Sequence, residues 1–323
     1  MKKAIIYVYS GTGNTKLVAE MYKEFLSEYE TTIFMVRMNR LDNPLREDSD
    51  TEITLHKGNK KHAYFNVPDP NEYDLIGFAY PVHGFNTPSA MYNFIKLLPP
   101  VAKGKKTFIF KTSGEGLTLN NYSSQKFIPL LKRKGYDVVC ERHHVMPYNM
   151  IFRHSPEMVK DEYKYARAYV KLTCSQLEQV DFREKVRYFP LRYWFVPIVR
   201  ILWIYARVQG PAMHADKKKC IKCGKCAKLC PLENIKIVDG LPKFGTNCVL
   251  CVACSFNCPT KAISIGLLNG WRVNGSYKIV QTANDESINS GYFGEDLKGF
   301  HRFLYYKYYR RLDKLFNENN IEF

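Results

Sequence analysis

The sequence predicts an α/β chain in which a doubly wound parallel sheet of five strands is followed by a small α+β domain. Three observations support this prediction. Five short apolar segments alternate with amphipathic helices over the first 180 residues, as in proteins built from βαβ units. A loop rich in glycine and hydroxyl residues follows the first segment, and eight of the ten cysteines lie between Cys220 and Cys258.

The predicted strands are short runs of apolar residues flanked by polar or turn-forming residues. They cover residues 4–9, 32–38, 75–79, 107–110 and 136–140. Between them, apolar residues recur at every third or fourth position, which predicts helices. Residues 41–73 are polar and rich in charge, asparagine and proline, and we interpret them mainly as a long excursion between the second and third strands.

Two helix starts are marked by a hydroxyl residue followed by proline, which is typical of a cap and a first turn. These pairs are Thr87 with Pro88 and Ser155 with Pro156. A further helix is predicted near residues 121–134. An aromatic and basic helix is predicted at residues 301–316, where packing onto the rest of the chain is the simplest interpretation.

The chain has 323 residues, 46% of them hydrophobic and 24% charged, as in ordinary globular proteins. This composition excludes a wholly disordered or collagen-like chain. The net charge is +17, divided into +6 for residues 1–180 and +11 for residues 181–323. Such an excess indicates an anionic partner, surface or cofactor. No recognised nucleic-acid-binding module is present, and nucleic-acid binding is not expected.

The most apolar window, residues 189–206, contains Arg192 and Arg200 as well as two prolines. Charges at the centre of a bilayer are costly, so this window does not predict a transmembrane helix. The surrounding basic and aromatic segment, residues 183–219, is interpreted as a connector, and peripheral contact with a membrane stays open. The apolar run near the N-terminus predicts a strand rather than a signal peptide, which favours a cytoplasmic protein with reduced thiols.

The cysteines form an internal repeat. The pattern C-x2-C-x2-C-x3-C-P begins at Cys220 and again 28 residues later at Cys248. A repeated half predicts two similar units around a pseudo-twofold axis.

Four thiolates satisfy a [4Fe–4S] cluster, and in repeated runs of this type the fourth cysteine binds the other cluster. The first cluster is therefore predicted at Cys220, Cys223, Cys226 and Cys258, and the second at Cys248, Cys251, Cys254 and Cys230. Zinc is the alternative, but the third cysteine and the Cys-Pro of each run fit a tetrahedral site poorly. The two remaining cysteines, Cys140 and Cys174, are interpreted as ordinary buried thiols.

The loop after the first strand has the composition of a phosphate site, because glycines and short hydroxyl residues let backbone N–H groups surround an anion. A dinucleotide fingerprint would need a third glycine where Lys16 stands, and a Walker loop would need four residues between its glycines, where this loop has one. The loop residues are Ser10, Gly11, Thr12, Gly13, Asn14 and Thr15.

This loop resembles the FMN phosphate loop of flavodoxins. The resemblance implies a flavodoxin-like fold with FMN at the carboxyl ends of the strands. Two further loops would then border the flavin, and Tyr80, His83 and Phe85 are candidates for stacking on its ring. The loop residues are Tyr80, Pro81, Val82, His83, Gly84 and Phe85 after the third strand, and Thr112, Ser113, Gly114 and Glu115 after the fourth.

Residues 213–266 resemble a bacterial two-cluster ferredoxin, and the whole chain looks like the EFR-type flavodoxin–ferredoxin fusion family of anaerobes. The segments 80–84, 111–115 and 145–149 also fit that family. The resemblance implies four parts: a flavodoxin-like FMN domain at 1–180, a basic and aromatic connector at 181–212, a ferredoxin domain with two [4Fe–4S] clusters at 213–266, and a C-terminal extension at 267–323.

The resemblance further implies electron transfer between FMN and the two clusters, which would link one-electron and two-electron redox partners. The basic charge then favours a redox protein partner with an acidic docking surface. The alternative is a flavin-dependent oxidoreductase that acts directly on a small substrate such as a quinone or a porphyrinogen. No Ser/His/Asp or paired-carboxylate pattern is visible, and no residue is predicted as catalytic.

Overall fold

The computed structural model describes residues 1–37, 39–40, 52–57, 60–184 and 208–322. Its strands, in chain order, are β1 (Lys2–Val8), β2 (Tyr29–Met35), β3 (Asn39–Arg40), β4 (Glu52–Lys57), β5 (Lys60–Phe65), β6 (Leu75–Pro81), β7 (Lys105–Ser113), β8 (Tyr136–Val145), β9 (His214–Ala215), β10 (Ile235–Val238), β11 (Leu241–Phe244) and β12 (Ile263–Ser264). Its helices are α1 (Asn14–Phe25), α2 (Ser89–Leu97), α3 (Phe127–Arg133), α4 (Pro156–Glu178), α5 (Lys225–Leu229), α6 (Ala253–Phe256), α7 (Ile279–Ala283) and α8 (Gly299–Glu318). Residues 208–212 are also helical.

The central sheet has the order β2-β1-β6-β7-β8, and every neighbouring pair is parallel. Numbered along the chain, its strands lie in the order 2-1-3-4-5, which is that of the flavodoxin-like doubly wound fold. The predicted fold class is therefore confirmed. All five predicted strands are present, each with ends that differ by a few residues from the prediction.

The sheet is buried on both faces because its side chains alternate between two cores. On one face, Ile6 packs in a core with Tyr22 of α1, and α4 covers the same side. On the other face, Tyr7 packs in a core with Phe94 of α2. The carboxyl ends of the strands are left open at one edge, where their loops meet.

The predicted helix starts differ in their outcome. Ser155 caps α4, and its side chain accepts a hydrogen bond from the backbone N–H of Met158. Thr87 does not cap α2, which begins at Ser89; its hydroxyl instead donates to the Ser123 carbonyl at 2.5 Å. The helix predicted near 121–134 is a 3-10 segment at Thr118–Ser124 followed by the shorter α3.

The excursion between the second and third strands of the main sheet contains structure that the sequence interpretation did not predict. The strands β3, β5 and β4 form a small antiparallel sheet in that order. Its hairpin pairs Lys57 with Lys60.

The internal repeat of the cysteine-rich part is also present in its helices and strands. The helices α5 and α6 begin at Lys225 and Ala253, and the strands β10 and β12 begin at Ile235 and Ile263. Both pairs of elements are therefore separated by the 28-residue period of the cysteines. The strand β12 pairs with β9, and β10 forms a hairpin with β11. This is the small α+β domain that the sequence predicts.

The C-terminal segment returns to the first domain. The helix α8 lies against α4, where the rings of Tyr309 and Tyr165 are 4.6 Å apart and Leu312 and Phe316 are buried. Within the described residues, no helix is both long enough and apolar enough to span a bilayer. The apolar window at 189–206 and most of the predicted connector lie outside those residues.

Candidate functional site

The loop between β1 and α1 is folded around the side chain of Ser10. The Ser10 hydroxyl oxygen accepts hydrogen bonds from the backbone N–H groups of Gly13 at 3.2 Å and Lys16 at 3.4 Å. Gly13 stands just before α1 with a φ of +108°, a left-handed conformation that glycine adopts because it has no Cβ. The helix therefore starts directly from the tight loop.

Four backbone N–H groups of this loop have no hydrogen-bond acceptor in the described part of the chain. Two of them open the 12-residue helix α1, whose first turn has no acidic residue. Unpaired amides at a helix start attract anions. The loop can therefore hold a phosphate group. The four amides are those of Gly11, Thr12, Asn14 and Thr15.

Side-chain hydrogen bonds join this loop to the ends of β7 and β8, so that the loops form one connected rim at the open edge of the sheet. Thr15 and Thr112, which share one of these hydrogen bonds, are both buried. The bonds run from Asn14 Nδ2 to the Pro147 carbonyl (2.7 Å), from Asn149 Nδ2 to Thr12 Oγ1 (3.0 Å), and between Thr15 Oγ1 and Thr112 Oγ1 (2.8 Å).

A cavity of about 520 Å³ opens at this rim. Its volume is in the usual range for sites that bind a cofactor or small molecule. Every residue that the sequence predicts as a flavin contact lines it, except Gly13 and Tyr80. The cavity therefore brings together the three loops that the sequence predicts around the flavin.

Tyr80 lies in the core instead of the cavity. Its ring packs edge-on against Phe127, and its hydroxyl lies 3.4 Å from that of Ser123. Of the three stacking candidates, the structure places only His83 and Phe85 on the cavity wall. Strand alternation explains the difference, because Tyr80 still belongs to β6 and points into the core below α2.

The loop after β6 is a tight hairpin at the cavity wall. The backbone groups of His83 and Asn86 exchange two hydrogen bonds of 3.0 Å. The two residues between them, Gly84 and Phe85, have φ values of +51° and +59°, which is the pattern of a type I′ turn. Burial lowers the pKa of His83 to about 4, so that its ring is neutral at physiological pH.

Glu115 is the buried carboxyl group of the cavity. Tyr148 donates its hydroxyl to Oε2 at 2.5 Å, and Asn120 donates its amide to Oε1 at 3.0 Å. Burial raises the pKa of Glu115, and the hydrogen bonds from Tyr148 and Asn120 oppose this rise without cancelling it. Such a carboxyl group can hold a proton beside a bound ligand.

The C-terminal extension supplies a further wall that the sequence analysis missed. The Gly116 N–H donates to the Leu304 carbonyl at 3.0 Å, and the Tyr305 hydroxyl donates to the Gly114 carbonyl at 2.9 Å. These bonds bring α8 against the loop after β7. The apolar side chains that it and the preceding segment add to the cavity are Leu268, Trp271, Phe300 and Leu304.

The eight clustered cysteines fall into two sets of four around two separate small cavities. Each set combines three cysteines of one run with the last cysteine of the other run. Within the described residues, no group of three or more His, Cys, Asp and Glu side chains is arranged to hold a single metal ion. The sets are Cys220, Cys223, Cys226 and Cys258 around one cavity, and Cys230, Cys248, Cys251 and Cys254 around the other.

Backbone N–H groups point at several of these sulfur atoms. The Asn234 N–H lies 3.2 Å from Cys230 Sγ, and the Ala262 N–H lies 3.3 Å from Cys258 Sγ. These contacts occupy equivalent positions in the two halves of the repeat. Hydrogen bonds of this kind stabilise thiolates and the charge on the sulfur atoms of iron–sulfur clusters. The donor set therefore fits a cluster in each cavity.

The large cavity and the second cysteine set share a wall. The segment from Cys248 to Cys251 lines both. A Cβ atom added to Gly11 would lie 2.8 Å from Cys251 Cβ, so that only glycine allows this approach. The remaining cysteines, Cys140 and Cys174, are buried in the core behind α1 and α4, and burial raises the pKa of both thiols.

Comparison with known families and structures found one matching family and a set of similar solved structures. Residues 213–236 match the family described as the 4Fe-4S binding domain. Solved structures similar to the chain include the Fusobacterium nucleatum flavodoxin bound to flavin mononucleotide (13% identity over 55% of this chain and 98% of that one, TM-score 0.36) and oxidised flavodoxin 1 from Bacillus cereus (16% identity, 52% and 95%, TM-score 0.33). No curated protein matches the chain. The chain therefore combines a segment similar to the 4Fe-4S binding domain with a flavodoxin-like fold, the latter established by its strand order.

Proposed function

We propose that this protein transfers electrons between FMN and two [4Fe–4S] clusters. The observation that carries the proposal is the shared wall, because the segment from Cys248 to Cys251 lines both the cavity of the phosphate loop and the cavity of the second cysteine set. Clusters exchange single electrons and flavins exchange one or two. Cofactors on the two sides of one wall would form a converter between one-electron and two-electron partners.

Two groups of cavity residues fit FMN, one for its phosphate and one for its isoalloxazine ring. The four unpaired amides of the phosphate loop would hold the phosphate without a cationic side chain. The isoalloxazine ring would lie between the hairpin that carries His83 and Phe85 and the loop that carries Ser113 and Glu115. A ring in that place would have aromatic and backbone groups on one side and a proton-holding carboxyl group on the other.

The clusters would use crossed ligand sets, as the repeated cysteine runs suggest. Cluster one would use Cys220, Cys223, Cys226 and Cys258, and cluster two would use Cys248, Cys251, Cys254 and Cys230. Cluster two would stand beside the flavin. Cluster one would stand nearer the surface, since Cys223 is exposed whereas Cys254 is buried.

The surface around cluster one would receive an acidic redox protein. We call the eight exposed lysines between residues 217 and 243 the lysine face. Only three acidic residues, Asp216, Glu233 and Asp239, occur in the same stretch of sequence. Complementary charge steers association and sets its salt dependence. The lysine face consists of Lys217, Lys218, Lys219, Lys222, Lys225, Lys228, Lys236 and Lys243.

This organisation supports membership in the EFR-type flavodoxin–ferredoxin fusion family. We divide the chain into an FMN domain (1–180), a connector (181–212), a two-cluster domain (213–266) and a C-terminal extension (267–323). The bridge between Met150 and Arg272 and the packing of α8 on α4 support an extension that would cover the FMN domain.

Anaerobic purification followed by assays of iron, acid-labile sulfide and released flavin tests the proposal. We expect about eight iron atoms and one FMN per chain, and bleaching of both chromophores by dithionite. Cys251→Ser should lose about half of the iron. Its matched control, Cys140→Ser, should lose none. A chain that holds iron but takes up no added FMN would contradict the flavin part of the proposal.

A second candidate function is direct oxidation or reduction of a small apolar substrate. The observation that favours it is the apolar wall of the cavity, where Trp271 is 55% exposed and Phe300 is 60% exposed. Steady-state turnover with quinones and porphyrinogens distinguishes the two functions. Turnover that falls in Trp271→Ala but not in Cys220→Ser would favour the small-substrate enzyme, and no turnover with any acceptor would contradict it.

A further inference from the structure

Tyr9 has a buried hydroxyl group for which the folded chain offers no ordinary partner. The residue follows β1, its ring is 0% exposed, and it belongs to the core below α2. Within the described residues, the hydroxyl has no hydrogen-bond partner of good geometry. Burying a hydroxyl group without a hydrogen bond costs about 1–3 kcal/mol. A buried donor of this kind indicates a group that the protein atoms alone do not provide.

The groups around this hydroxyl are sulfur atoms of the second cysteine set. Besides burial, the influences on the pKa of Tyr9 are the thiols of Cys251, Cys230 and Cys248, and Cys251 has the largest effect. Cys230 and Val249, which line the cavity of the second cysteine set, pack against the same core as Tyr9. Gly11, two residues after Tyr9, packs closely on Cys251. This contact holds the loop after β1 against the segment that carries Cys251.

Tyr9 lines neither the flavin cavity nor the cavity of the second cysteine set, whereas Cys251 lines both. The hydroxyl therefore approaches Cys251 from outside the place of the cluster. Backbone N–H groups approach Cys230 and Cys258 in a comparable way. The equivalent of Cys251 in the first half of the repeat is Cys223, which is exposed.

We infer that the Tyr9 hydroxyl donates a hydrogen bond to Cys251 Sγ and thereby raises the reduction potential of cluster two. This inference rests on the proposed function, since it requires a cluster at the second cysteine set. A hydrogen bond to a ligand sulfur stabilises the more negative, reduced form of a cluster. Tyr9 comes from the flavodoxin-like domain, so that this domain tunes the cluster beside its own cavity.

The test is a pair of conservative substitutions in the full holoprotein. Tyr9→Phe removes the hydroxyl and keeps the ring, and Tyr7→Phe is its matched control. Tyr7 lies two residues away on the same face of the chain, and its hydroxyl donates to the Pro68 carbonyl at 2.6 Å, remote from the cysteines. The reduction potentials of both clusters are measured by anaerobic titration with electron paramagnetic resonance, together with iron content.

We expect Tyr9→Phe to lower the potential of one cluster and to leave the other cluster and the iron content unchanged. Tyr7→Phe should shift neither potential. Because 3-fluorotyrosine is a stronger donor of the same shape, its incorporation at position 9 should raise the potential of the cluster that Tyr9→Phe lowers. The variant with 3-fluorotyrosine at position 9 also tests the hydrogen bond if Tyr9→Phe folds poorly.

Three outcomes would overturn the inference. Unchanged potentials in Tyr9→Phe with about eight iron atoms per chain would refute the hydrogen bond and leave the proposed function standing. Equal shifts in Tyr9→Phe and Tyr7→Phe would show a general packing effect rather than a specific donor. About four iron atoms per chain in the unchanged protein, with the second cysteine set free to react with a thiol reagent, would refute both the proposed function and this inference.

Discussion

Gly11 and Cys251 lie so close that a Cβ atom on Gly11 would come within 2.8 Å of Cys251 Cβ. One residue belongs to the proposed phosphate loop and the other to the proposed ligands of cluster two. The contact therefore sets the separation between the two cofactor sites. The glycine therefore also serves the junction between the two parts of the chain.

Gly11→Ala should weaken this junction. The added methyl group has no room, and overpacking of this kind costs about 1–3 kcal/mol in the free energy of unfolding. We also expect slower reduction of the flavin after rapid reduction of the clusters, since the two sites must move apart. Urea denaturation and flash-induced reduction measure the two effects. The control is Gly270→Ala, where nothing lies within 4 Å of the added atom; equal effects in both variants would contradict the role of the contact.

The crossed ligand sets lead to a second prediction. Cys258→Ser should damage the same cluster as Cys226→Ser, and Cys230→Ser the same cluster as Cys254→Ser, although each pair spans both runs of the sequence. Each variant should lose about four of eight iron atoms. Electron paramagnetic resonance of the remaining cluster identifies which one is lost. If Cys258→Ser instead removes the same signal as Cys254→Ser, the ligands are not crossed.

The sheet and the cysteine repeat could be predicted because they depend on local patterns. The apolar runs of the main sheet are buried on both faces and read as strands without knowledge of their neighbours. The repeat fixes its own symmetry, and α5 and α6 indeed begin one period apart at Lys225 and Ala253. The hairpin of β4 and β5 also has a local signal in the sequence, because Gly58-Asn59 is a dipeptide typical of two-residue hairpin turns.

The C-terminal wall of the cavity could not be predicted in the same way. Leu304 and Phe300 reach the cavity only because α8 docks on α4, and that contact joins residues more than a hundred positions apart in the chain. Tyr80 shows a second limit of prediction from the sequence. It stands one residue before cavity-lining Pro81, yet the strand is still regular there and turns the ring into the core. A motif locates a loop but not the direction of each side chain.

Glu115 leads to a pH prediction. Its pKa in the folded chain is raised above the ordinary value of 4.5, chiefly by burial, so that the native state binds the proton more tightly than the unfolded state. Its contribution to stability is therefore full at acidic pH and is lost as the pH rises from about 4.5 through the raised native pKa. The charged or titratable groups that face it are Tyr148, His154 and Tyr305.

Glu115→Gln should remove this pH dependence. Between about pH 5 and about pH 8, the stability of the unchanged apoprotein relative to this variant should fall by at most ~1.4 kcal/mol per pH unit. Tyr148→Phe removes a hydrogen bond that lowers the pKa of Glu115, and it should move the fall to higher pH. Urea denaturation at several pH values measures both effects. A constant difference between the unchanged protein and Glu115→Gln would contradict a raised pKa.

The lysine face leads to the last prediction. Lys222 and Lys225 flank the exposed Cys223 and line the cavity of the first cysteine set. If an acidic one-electron carrier docks there, replacing both lysines with glutamate should lower its second-order rate of electron transfer about tenfold at low ionic strength. The difference should shrink as salt screens the charges. Stopped-flow reduction by an acidic ferredoxin measures these rates, and Lys171→Glu, which alters an exposed lysine on α4, is the control.

Equal slowing by the control would mean that net charge, rather than the lysine face, governs association. No slowing at all by the double variant would place the docking site on another surface.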